Sequence, residues 1–103
     1  MVILLAENKG RIPVAPDAVF YHDADNYTII VELPGVNKQD IEFEVMENGF
    51  CLTAPRDDIE YKGCWVLVPK ADPKKATATF SNGLFKAIIP LAERVESFKI
   101  PIK

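Results

Sequence analysis

The chain has 103 residues, enough for one domain with a single modest core. Hydrophobic residues make up 49% and charged residues 26%, the balance of an ordinary globular protein. A formal net charge of −3 offers no cationic footprint for nucleic acid and little attraction to an anionic membrane, and no run approaches the roughly 20 apolar residues of a membrane span.

The apolar start, Val2 to Ala6, is too short for a signal-peptide core and lacks a basic flank, so the expected location is the cytosol. Residues 1–17 carry Gly10, Pro13 and Pro16 with no sustained period and read as an N-terminal arm. Val19–His22 is a strand candidate before Asp25-Asn26. Period-two patterning then dominates. Tyr27, Ile29, Val31 and Leu33 alternate with Thr28, Ile30 and Glu32; Ile41, Phe43 and Val45 alternate with Glu42, Glu44 and Met46. Both runs read as half-buried strands.

Asn48-Gly49 is a hairpin signal, because both residues tolerate positive φ, and it predicts that Ile41–Glu47 and Phe50–Ala54 pair antiparallel. Cys64–Val68 is a further apolar run, stopped by Pro69. Asn82-Gly83 is a second hairpin signal, between Ala76–Ser81 and Leu84–Ile89. Helix evidence is confined to single turns at 37–40 and 70–75, the latter opened by Asp72 with Pro73 in its first position, and to a short stretch at 92–96. About seven short strands bounded by turn residues predict an all-β, immunoglobulin-like antiparallel sandwich. Its body spans 18–91, and 92–103 forms a C-terminal extension.

Chemistry is sparse. His22 is the sole histidine and reads as structural or exposed. No serine or cysteine has a base nearby in sequence, and Asp57-Asp58 with Glu60 reads as a solvated loop. No glycine-rich phosphate loop occurs. Two cysteines, Cys51 and Cys64, are expected to remain thiols in a reducing compartment and, with one histidine, are too few for a metal site. Neither an enzyme nor a cofactor is expected.

Three local patterns together resemble the small heat-shock proteins with their alpha-crystallin domain. Leu33-Pro34-Gly35, followed by Lys38, Asp40 and Ile41, is similar to the family's strand end and acidic turn. Ala78, Asn82, Gly83 and Phe85 resemble its signature of alanine, asparagine-glycine and a large apolar residue, with Phe85 where leucine is usual. Ile100-Pro101-Ile102 resembles its C-terminal isoleucine-any-isoleucine motif. The resemblance implies an immunoglobulin-like sandwich, self-assembly into a homo-oligomer from dimers, and ATP-independent binding of unfolding client proteins. It also implies that the motif docks in an apolar groove between the strands matching Ile41–Glu47 and Ala76–Ser81, hence against Ile41, Phe43, Val45, Ala76, Ala78 and Phe80.

The residue chemistry supports that use of the hook. Proline holds the segment extended, and isoleucines two residues apart on an extended chain point to one side. Ile12 and Val14, around Pro13, form a second such knob. It either competes for the groove, pins the arm to the body, or is incidental.

Departures from the family are equally plain. Residues 56–63 are few where many relatives carry a longer, exchanged segment, which predicts a tight loop without strand exchange. That leaves the dimer mode open, edge-to-edge pairing through Cys64–Val68 being one alternative. Cys64–Val68 also lacks the arginine often found in the corresponding strand. The apolar patch Val2-Ile3-Leu4-Leu5 reads as an extra strand covering an edge or as a client contact. The alternative function on this fold is a non-chaperone interaction module, such as a CS-type co-chaperone or an adaptor.

Overall fold

The computed structural model describes residues 10–103. Among these, eight strands form two four-stranded sheets packed face to face. They are β1 (Ile12–Val14), β2 (Ala18–His22), β3 (Asn26–Glu32), β4 (Glu42–Met46), β5 (Gly49–Arg56), β6 (Ile59–Val66), β7 (Thr77–Ser81) and β8 (Leu84–Pro90). One sheet has the order β1-β6-β5-β4 and the other β2-β3-β8-β7. The all-β sandwich expected from the period-two runs is the architecture. The apolar patch at Val2–Leu5 lies outside the described residues.

Alternation builds the core. Tyr27, Ile29 and Val31 on β3, Phe50, Leu52 and Ala54 on β5, and Phe85, Ala87 and Ile89 on β8 are all buried. Phe50 is its hub: its ring meets Phe20 edge-on at 5.7 Å, lies 6.0 Å from Phe43, and stacks on Trp65 at 4.9 Å. Single 3-10 turns occur at Lys38–Asp40 and Pro73–Lys75, within the two short segments expected to turn. The stretch 92–96 forms no helix; instead Val95 packs on the core and its N–H donates to the Ala24 carbonyl at 2.9 Å. The β2–β3 turn is closed by Asp23, whose carboxylate accepts the Asp25 and Asn26 backbone N–H groups at 2.8 Å each. These donors hold its carboxyl below the usual range.

Four expectations need correction. First, the two Asn-Gly pairs do different work. Asn82 and Gly83 both have positive φ, 51° and 78°, and form the tight turn predicted for them. At the other hairpin Met46 pairs with Gly49, so the turn residues are Glu47 and Asn48, and no residue there has positive φ. Gly49 is needed for a different reason: a Cβ on it would lie 2.5 Å from the Trp65 carbonyl oxygen of the neighbouring strand. Second, residues 56–63 are not a loop. β5 runs to Arg56 and β6 starts at Ile59, so only Asp57 and Asp58 turn, with Asp57 at φ 50°. Low hydrophobicity in this segment hid two strand ends whose outward faces are polar.

Third, the same hairpin sets Cys51 directly opposite Cys64, with Cα atoms 4.1 Å apart, and the two sulfurs are joined in a disulfide. The expected pair of thiols is therefore replaced by a cystine, and the inference from thiols to a reducing compartment loses its footing. Fourth, the sheet is not wholly antiparallel. β1 pairs in parallel with β6, Ile12 with Ile59 and Val14 with Tyr61.

The β7–β8 turn is tied to the end of β3. The Leu33 N–H donates to the Gly83 carbonyl at 2.7 Å, and a Cβ on Gly83 would lie 3.4 Å from the Pro34 Cα. Gly83→Ala is therefore expected to cost roughly 1–2 kcal/mol, since an L-residue strains at positive φ. A thermal melt would show a drop of roughly 5–15 °C. Gly83→Asn, which tolerates this conformation, is expected to lose less.

Candidate functional site

Strands β4 and β7 are the edge strands of their sheets and run along the same side of the sandwich. Between them lies an apolar groove. Ile41, just before β4, and Phe43 and Val45 on it face the groove from one side, all half-buried, at an edge that no further strand covers among the described residues. Half-buried Ala76 and Phe80 and exposed Ala78 face it from the other. The small side chains of Ala76 and Ala78 leave open space where larger residues would close the seam.

The groove holds two cavities. One, of about 270 Å³, is lined by Lys38, Ile41, Phe43, Ala78, Thr79, Phe80 and Phe85. The other, of about 230 Å³, is lined by Phe43, Val45, Pro73, Ala76, Thr77 and Ala78. They share Phe43 and Ala78. The first extends to Ile41 and the second to Val45, so they follow one another along the β4 edge.

All six groove residues named from the sequence line this pair of cavities. Sequence reasoning missed Lys38, Thr79, Pro73 and Thr77 as lining residues. Phe85 was named as part of a signature only. It sits buried beneath the groove with its ring 4.9 Å from that of Phe43. Its register partner on β7 is Phe80, and that cross-strand pairing was the signal that could have placed it.

The other signature residues also meet. Leu33 is fully buried, and the Pro34-Gly35 bend rests against the Asn82-Gly83 turn through the Leu33–Gly83 hydrogen bond. Gly35 has φ 79°, and a Cβ there would run into Arg56, whose guanidinium donates to the Pro34 carbonyl. Ile12 and Val14 lie on β1, at the sheet edge opposite β4, where the backbone pairs in parallel with β6 while the Ile12 side chain stays exposed. The hook stands free. Ile100 is 77% exposed and Ile102 98%, neither being part of a strand or the core.

No protein-family model matches the chain. Among curated proteins, 18 kDa antigen 2 of Mycobacterium avium is 25% identical over 106 residues, spanning 89% of this chain and 77% of its own length. Heat shock protein 16.0 from Schizosaccharomyces pombe superposes with a TM-score of 0.74 at 23% identity, covering 87% of this chain and 99% of that one. The fold is that of the small heat-shock proteins. A small heat-shock protein from Xylella fastidiosa gives a TM-score of 0.66 at 18% identity over 87% of this chain and 95% of its own.

Within this alpha-crystallin frame the β5–β6 hairpin is compact. Its two-residue turn leaves no excursion beyond the sheet, and β6 is an unbroken eight-residue strand on its own β5. β1 covers only Ile59–Tyr61 of the outer edge of β6. Lys62–Val66 has no strand on that side among the described residues, and Val66 is exposed. Among the described residues no helix is long and apolar enough to cross a membrane, and no group of three or more His, Cys, Asp or Glu side chains is placed to hold a metal ion.

Proposed function

We propose that this protein is a small heat-shock protein acting as an ATP-independent holdase, assembled through the Ile100-Pro101-Ile102 hook of one copy in the β4–β7 groove of another. One observation carries the reading. The free hook presents two isoleucines two residues apart, and the groove presents two adjoining cavities that meet at Phe43 and Ala78, one reaching Ile41 and the other Val45. Full burial of each isoleucine contributes roughly 1.5–3 kcal/mol before ordering costs. A contact of about 3–6 kcal/mol for the pair before ordering costs is weak enough to release.

Release uncovers the groove, and an unfolding client's apolar segment fits the same two cavities. The Lys62–Val66 edge of β6, which pairs with no strand on that side among the described residues, supports a dimer formed by edge-to-edge pairing as the building block. An exposed hook speaks against the non-chaperone module, which has no use for a self-complementary knob.

The test is suppression of aggregation. A labile enzyme heated with a several-fold molar excess of this protein is expected to scatter markedly less light than the enzyme alone. Equal scattering at every ratio would remove the chaperone reading.

A further inference from the structure

The alternation that turns Phe43 and Val45 toward the groove turns Glu42 and Glu44 to the outer face of the same edge, and Asp40, at the end of the preceding 3-10 turn, lines the same recess as Glu42; all three are exposed. The β7 side of the groove carries Thr77, Thr79 and Ser81 at its exposed positions, with no charge. The two rims thus differ: one is a row of carboxylates, the other a row of hydroxyls.

The acidic rim opens into a recess of about 420 Å³ across β4, β5 and β6, lined by Asp40, Glu42, Thr53, Pro55, Glu60 and Lys62. Glu60 is only 6% exposed, and its Oε1 has no hydrogen-bond partner. A buried carboxylate oxygen left without a donor is costly, and a cation nearby relieves it. Lys62 lines the far wall without forming an ion pair. Among the described residues the ion pairs are Lys75 with Asp72 and Arg94 with Asp25. No ion pair therefore engages the rim, and the recess sets three carboxylates against the single ammonium of Lys62.

The hook carries the complementary charge. Lys99 and Lys103 flank Ile100-Pro101-Ile102 and occupy the alternate positions of an extended chain. With both isoleucines in the groove, the lysines face outward, and their long stems fold over one rim or the other. The carboxylates stand on the β4 rim, where Lys38 is the cation lining the groove. Whichever way the hook runs, one lysine reaches the Asp40–Glu42 end, beside the recess, and the other reaches Glu44.

We infer that the acidic row Asp40-Glu42-Glu44 and the recess beside it bind the ammonium groups of Lys99 and Lys103 from a second copy, so that the groove selects apolar hooks flanked by cations. This rests on the hook-in-groove reading above and adds the element of selection. An apolar client segment without flanking cations occupies the same cavities but lacks this contact, which places it below the protein's own hook in affinity.

The experiment follows the assembly of the full chain by light scattering after size-exclusion chromatography, over a dilution series and at two salt concentrations. Lys99→Glu with Lys103→Glu is expected to raise the dissociation concentration roughly three- to tenfold, the range for two exposed pairs. Glu42→Lys with Glu44→Lys is expected to do the same, and all four changes together to restore assembly. Raising the ionic strength is expected to weaken the wild type but not Glu42→Gln with Glu44→Gln. Thermal melts confirm that each variant folds, and all four positions are exposed.

Unchanged dissociation in both reversed variants, with no recovery on combining them, overturns the charge inference. If this happens while Ile100→Ala with Ile102→Ala still breaks the assembly, the hook-in-groove reading stands alone. If the alanine variant assembles normally, that reading falls and takes the inference with it.

Discussion

Replacing Ile100 and Ile102 by alanine is expected to reduce the assembly to its building block at concentrations where the wild type is fully assembled. Both side chains are almost fully exposed on the free subunit, at 77% and 98%, so nearly all their apolar surface is available for burial in a partner's groove. Removing it from both positions forfeits about 3–5 kcal/mol per hook. That is a loss of roughly a hundred- to a few-thousandfold in the affinity of each contact. The ordering cost of the backbone is unchanged, because Pro101 still holds the segment extended. The subunit itself should melt as before, since neither residue touches the core. Light scattering after size-exclusion chromatography reads the first effect and a thermal melt of the dissociated subunit reads the second. A variant that assembles like the wild type would show that other surfaces hold the copies together.

The groove itself was legible only through the resemblance to the small heat-shock proteins, while the residues facing it followed from period two. Ile41, Phe43 and Val45 alternate with three polar or flexible residues, and period two fixes which side each side chain takes. The hook's geometry was legible from two isoleucines spaced by proline, and its use only from the same resemblance. Positions governed by the partner strand were not legible. Gly49 looked like a turn residue, and only the approach of the Trp65 carbonyl at 2.5 Å reveals why a side chain is excluded. Cys51 and Cys64 are 13 residues apart, and nothing local says that a two-residue turn at Asp57-Asp58 sets them opposite each other. Ile12-Pro13-Val14 reads like the hook, with the same spacing and chemistry. What separates the two is tertiary: Ile12–Val14 pairs with the edge of β6, while Ile100 and Ile102 pair with no strand among the described residues.

Phe50→Ala is expected to be the most damaging single change to the sandwich, and it links the core to the groove. The Phe50 side chain is fully buried and its ring touches Phe20 from β2, Phe43 from β4 and Trp65 from β6. Truncating a buried phenylalanine costs about 3–5 kcal/mol through lost transfer energy and the cavity left behind. Each aromatic pair contributes a further roughly 0.5–1.5 kcal/mol beyond its buried area. A domain of this size has about 5–15 kcal/mol in all, so the variant should sit near the edge of folding. Urea unfolding would register the loss as a lowered midpoint with little change in slope. The functional consequence runs through Phe43. Its ring forms the ridge between the two cavities and is held by Phe50 on one side and Phe85 on the other. Without Phe50 the ridge can sink toward the core and merge the cavities into one trough, which no longer matches two isoleucines one step apart. Phe50→Leu keeps most of the buried volume and is expected to recover most of the stability. If the ridge matters as argued, this variant still binds the hook more weakly than the wild type. A leucine variant with wild-type assembly would show that Phe43 needs only Phe85 to keep its place.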